Sequence, residues 1–168
     1  MAELLILRLI HILGGIVWVG AGIFSTLFLA PAMKAAGPAA AGALMGNLQK
    51  RRMFTFMPVV ATLTLLSGLR LMWIVSAGDS HWFTHGVGHT YAVSGALAII
   101  AFMTGLLVGR PAMVKAGKLA ESAASDGASK ERLAAEMVKL QKRAGLATGV
   151  ATIMLVLAAA GMAIARYL

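Results

Sequence analysis

The chain has no cysteine, which excludes disulfides, thiolate metal centres and a covalently attached c-type haem. Charge is scarce: 12% of the 168 residues are charged, against about a quarter in an ordinary soluble domain. Acids are scarcest, six against fifteen Lys and Arg. No carboxylate pair, Ser/His/Asp set or glycine-rich phosphate loop is apparent, so hydrolytic and phosphoryl-transfer chemistry have no support.

What is abundant is apolar. Hydrophobic residues make up 60% of the chain and the mean hydropathy is +0.85. Runs long enough to cross a hydrocarbon core of about 30 Å cover residues 4–30, 55–76, 89–109 and 144–165. The expected fold is all-α: one transmembrane domain over residues 1–168, an antiparallel four-helix bundle with the lipid bilayer as its solvent. The first run is too long for a signal-peptide core, and Glu3 gives it a poor positive flank, so an uncleaved span is expected.

The net charge of +9 is explained by its distribution. The connection 31–54 carries Lys34, Lys50, Arg51 and Arg52 with no acid. The connection 110–143 carries eight basic residues against Glu121, Asp126, Glu131 and Glu136, whereas residues 77–88 hold no Lys or Arg. With four spans the two basic connections share a face, and the positive-inside rule makes that face cytoplasmic. Both termini and the short histidine-bearing loop then lie outside. The charge speaks for orientation and anionic lipid, not for nucleic acid.

Residues 37–52 read as a short interfacial helix. "SDGAS" breaks the pattern before a helix that Ser129 can cap, with Leu133, Met137 and Leu140 on one face. Gly105–Gly109 and Gly145–Gly149 form GxxxG pairs, and Gly22, Thr26 and Ala30 form a small-residue ridge, as close helix contacts in lipid require. No internal repeat is apparent.

Ionisable groups inside a span are the informative exception. His11, Gly15, Trp18 and Gly22 share one helix face, with Arg8 one turn above His11. Arg70, His81, His85, His89 and Arg166 fall in the same outer layer, where Glu3 and Asp79 are the available acids. Imidazoles with excess guanidinium suit a ligand carrying both a metal and acidic groups. A b-type haem fits: histidine binds iron and arginines pair with propionates. The expected site is His11 and His89 on the iron, His85 as the fallback ligand, Arg8, Arg70 and Arg166 on the propionates, and Trp18 against the ring. Plainer readings stand beside it. Each arginine alone can snorkel, Trp73, Trp82 and Tyr167 can form an aromatic belt, and His81 and His85 read as solvated loop residues. His11 can simply bond a neighbouring helix. Met72 and Met162 are core filling, or soft ligands in a copper alternative.

"HILGGIVWVGAGIF", "LQKRRMFTFMPVVATLTLLSGLRLMW" and the ending "MAIARYL" resemble the CopD-like superfamily of small four-helix membrane proteins. That group includes copper-resistance membrane proteins, uncharacterised relatives and haem-binding membrane protoporphyrinogen oxidases. In the oxidase branch the early histidine serves haem binding and activity, which implies that role for His11. A lysine of that branch early in the third span has no counterpart; His85 and His89 stand there instead. The resemblance thus implies a haem site with a changed partner rather than protoporphyrinogen oxidase activity. Three functions follow as expectations for the bacterial cytoplasmic membrane. They are a haem redox protein exchanging electrons with a quinone or partner protein, a copper-handling protein, or a cofactor-free interaction subunit; a homo-oligomer stays open.

Overall fold

The computed structural model describes residues 1–123 and 130–167, and every long element in it is a helix. Helix α1 (Ala2–Phe24) runs through a π-helical turn (Ser25–Leu29) into α2 (Ala30–Lys50). A reversal at Arg51 and Arg52 leads to α3 (Met53–Ser76). A 3₁₀ turn (Ser80–Thr84) precedes α4 (Gly86–Thr104), which passes through a second π-helical turn (Gly105–Gly109) into α5 (Arg110–Ala123). Helix α6 (Lys130–Ile164) ends in a 3₁₀ turn (Ala165–Tyr167).

Four stretches are long and apolar enough to span a membrane: Ala2–Gly37, Met53–Ser76, Gly86–Ala116 and Ala135–Tyr167. The first and third run past the expected bounds of 30 and 109 because neither π-helical turn interrupts the helix. The short helix expected over 37–52 is present as the second half of α2, redirected at Gly37, whose φ of 84° has no steric cost without a Cβ. Helix α6 runs unbroken into the fourth span, while its Ser129 cap and the "SDGAS" break lie outside the described residues.

Burial is inverted relative to a water-soluble protein. The buried positions are small, Ala61, Thr64, Ser67, Ser94, Ala98, Ala101 and Ala158 among them, while Leu9, Ile16, Leu66, Ile153 and Leu157 stand exposed. Lipid tails are as apolar as leucine, so burying leucine gains little. Small residues gain more by letting backbones approach for dispersion contact. Helix α1 packs along α3 and α6, and α4 packs along α6 and more thinly along α3, so α1 and α4 are diagonal neighbours. The small-residue ridge of the first span holds at two of its three positions: Gly22 faces Thr152, and the Thr26 and Thr152 hydroxyls share a 3.0 Å hydrogen bond, whereas Ala30, beyond the π-helical turn, is exposed. The Gly145–Gly149 pair does not act as a contact, since a Cβ at either would meet nothing within 4 Å. Gly109 does pack, against Ala147.

The structure also exposes a duplication that the sequence pattern conceals. Both π-helical turns are closed by the same five-residue bond, Ala30 N–H to the Ser25 carbonyl and Arg110 N–H to the Gly105 carbonyl. After each turn come proline, alanine and methionine: Pro31, Ala32, Met33 and Pro111, Ala112, Met113. "LQKR" recurs at 48–51, just before α3, and at 140–143, inside α6. Gly68 of α3 lies beneath the His11 ring of α1, and Gly161 of α6 lies beneath Ser94 of α4. Each half is therefore one helical hairpin. The halves diverge where the second carries the longer basic connection.

Candidate functional site

At the histidine end, α1 and α3 meet through His11. Its Nδ1 lies 2.8 Å from the Thr64 carbonyl oxygen. A carbonyl only accepts, so in the neutral ring Nδ1 carries the proton and Nε2 keeps its lone pair. The ring sits against Gly68, where a built Cβ would fall 2.6 Å from Cε1 and 2.9 Å from Nδ1. No side chain fits under this imidazole, so the glycine sets how closely it approaches α3. The same Thr64 carbonyl also accepts from the Ser67 hydroxyl at 3.0 Å.

The surrounding charges are largely spoken for. Arg70 donates to Glu3 from Nε at 2.9 Å, with Nη2 at 2.8 Å, both side chains about half exposed. Asp79 accepts the His81 backbone N–H at 2.8 Å and so caps the 3₁₀ turn. The two acids of this layer therefore hold an arginine and a turn. Arg166 lies over the Tyr167 ring, 5.0 Å from its centroid, and Arg8 is exposed.

The other histidines are arranged by the turn. His81 and His85 stack with centroids 5.4 Å apart, and His85 Nδ1 is 2.8 Å from the Thr84 hydroxyl. His85 is extended and Gly86 has φ 51°, so no continuous helix joins the three. Gly88 lies buried inside α4, where the missing Cβ admits the Trp82 backbone. His89 is exposed on α4, diagonal to α1, and no ring contact or hydrogen bond joins it to His11. Among the described residues no group of three His, Asp or Glu is placed to hold a metal ion. Met72 packs between α3 and α4, with its sulfur 3.6 Å from a Cβ built on Gly95.

Trp18, placed beside His11 from sequence, faces the middle of the molecule instead. Its ring meets Phe102 of α4 edge-on, centroids 6.2 Å apart, across the diagonal. Below that contact, towards the basic end, a cleft of about 240 Å³ opens between all four spans. Trp18, Met53, Met57, Phe102 and Leu155 line it, both π-helical turns border it, and Arg110 stands at its edge. Sequence reasoning missed this cleft because its signal is a pair of helical turns with one extra residue each, which no hydropathy pattern reveals. Searches against family models, curated proteins and solved structures each return no match to this chain.

Proposed function

We propose that this protein is a multi-pass redox protein of the bacterial cytoplasmic membrane that holds a b-type haem near its outer face. Electrons pass to or from a quinone or a partner protein. The four spans form an antiparallel bundle with both termini outside and the basic connections, 31–54 and 110–143, inside.

The observation that carries the reading is the fixed imidazole of His11. Histidines that bind metals nearly always donate their second ring N–H to a carbonyl or carboxylate, which sets the tautomer and ring orientation. His11 has such a bond through Nδ1 to Thr64, with Gly68 beneath the ring. Nε2 would then be the nitrogen with which His11 holds the iron. Arg8 is the cation of this layer most open to a propionate, because Arg70 would have to exchange Glu3 for one. His89 at the start of α4, with His85 just before it as fallback, would supply the second iron ligand. Haem b supplies one-electron redox chemistry when bound; the chain supplies a fixed donor, a counter-charge and exclusion of water by the spans.

The absorption spectrum of the purified protein tests this directly. The expected result is a Soret band that is lost in His11→Ala. A protein without that band, or a His11→Ala variant that keeps it in full, refutes the proposal. Bound copper without a Soret band would transfer the case to copper handling.

A further inference from the structure

We propose that the cleft at the basic end binds the head group of a lipid-soluble quinone. This deepens the redox reading by choosing quinone over a protein partner, and it rests on that reading for its purpose but not for binding.

The position of the cleft is the first argument. It lies at the interface of the two repeated hairpins, bordered by both π-helical turns. Single π-turns inside α-helices recur at functional sites, and membrane proteins with internal repeats place their ligands between the repeats beside irregular helix segments. Asymmetry is the second argument. Arg110 follows the second π-turn where Ala30 follows the first, and Arg110 alone of the two adds a cation to the cleft edge. A duplicated scaffold has thus acquired one directional hydrogen-bond donor.

The lining chemistry then narrows the ligand. Trp18 and Phe102 close one end, and Met53 and Met57 form a pliable apolar wall suited to a flat ring. Four polar side chains line this space: Ser25, Arg110, Thr148 and Thr152. The Thr148 and Thr152 hydroxyls are spent on the backbone carbonyls of Ala144 and Thr148, whereas the Ser25 hydroxyl and the Arg110 guanidinium have no hydrogen-bond partner among the described side chains. Both can donate to a carbonyl oxygen, and a quinone ring carries two such oxygens. The 240 Å³ volume is ring-sized, below the roughly 300–1,000 Å³ of sites that enclose a drug-sized ligand. The tail must therefore run outside, and the thin seam between α3 and α4 gives it a way into the lipid. A phospholipid with two chains and a bulky head does not match this shape.

The chain has three tryptophans, and Trp18 is the one on the cleft. In a Trp73→Phe/Trp82→Phe background, Trp18 fluorescence is titrated with a decyl-substituted benzoquinone in detergent. Saturable quenching is expected, with the apparent Kd raised about tenfold, or about 1.4 kcal/mol, by Arg110→Gln. Arg110 is exposed, so this variant is expected to keep the parental melting temperature. Ser25→Ala provides a second, independent variant and should also weaken binding. Quenching that rises linearly without saturation overturns the proposal. An unchanged Kd in both variants does so too, as does displacement of the quinone by brominated phosphatidylglycerol at equal concentration. Saturable quenching in a protein that lacks a Soret band supports the site and removes the haem; a Soret band with non-saturable quenching does the reverse.

Discussion

Replacing Gly68 by alanine perturbs the histidine end in a way that can be worked from the structure. The new methyl would lie 2.6 Å from His11 Cε1 and 2.9 Å from Nδ1, where a relaxed contact needs closer to 3.5–4 Å. The ring must retreat by nearly an ångström. Its 2.8 Å bond to the Thr64 carbonyl cannot survive that displacement in good geometry. Overpacking costs about 1–3 kcal/mol, and losing the hydrogen bond adds about 0.5–1.5 kcal/mol. The helix propensity gained on leaving glycine returns about 1 kcal/mol. The net expectation is a destabilisation of about 0.5–3.5 kcal/mol. Gly20→Ala is the internal control, because a Cβ there meets nothing within 4 Å and only the propensity gain applies. Reversible unfolding in mixed micelles reads both variants, and haem content per protein reads whether the imidazole has moved. Equal stability of Gly68→Ala and Gly20→Ala would refute the packing argument, and with it the claim that Gly68 sets the position of His11.

Other perturbations separate working contacts from idle ones. Thr152→Val keeps the volume that faces Gly22 but removes the bond to Thr26 together with the hydroxyl's own bond to the Thr148 carbonyl within α6; the interhelical bond should cost about 0.6 kcal/mol, the average for such bonds in membranes, and a loss above 2 kcal/mol in the same micelle assay would show that the threonine does more than bond. Glu3→Gln and Arg70→Gln, combined in a double-mutant cycle, should couple by no more than about 1 kcal/mol, because the bridge is about half exposed. A cycle giving 3 kcal/mol would mean that the pair is buried in the protein as it sits in the bilayer. A reporter active only in the cytoplasm should be silent when fused after Leu168 and active when inserted between Gly37 and Gln49, and the reverse pattern would overturn the assigned orientation.

Span number and approximate depth are readable from composition because hydrocarbon tolerates so little else: four apolar runs leave one solution. The small-residue ridge through Gly22 and Thr26 was legible for the same reason, being a constraint on backbone distance that sequence states directly. GxxxG at 145–149 was not informative, because the same spacing arises wherever small residues are common, and only the neighbouring helix decides whether a face is used. His11 stood out because an ionisable group in a span is costly, yet its partner could not be inferred. That partner is a backbone carbonyl, which every residue has. The duplication stayed hidden because the halves share few identities outside Pro-Ala-Met and Leu-Gln-Lys-Arg, and unequal connections shift one repeat against the other. Arg70 shows the opposite failure. Counting charges in a layer suggested a free cation for a ligand, but Glu3 at the start of α1 reaches it.

The two π-helical turns have a consequence for how this chain tolerates length change. Each closes a ring one residue larger than an α-helical turn, so the helix beyond it is rotated by about 100° relative to an uninterrupted helix of the same number of residues, and keeps the phase of one with a residue fewer. Deleting one residue from 25–29 can relax the wide turn to an ordinary one and leave His11 above it, and Pro31 and Met33 below it, on the faces they already occupy. The same deletion one turn earlier, at Gly20 or Ala21, has no slack to absorb it and must swing one flank of the span out of register. Loss of a single codon should therefore be survivable at two places in this chain, about eighty residues apart, and damaging elsewhere in the spans.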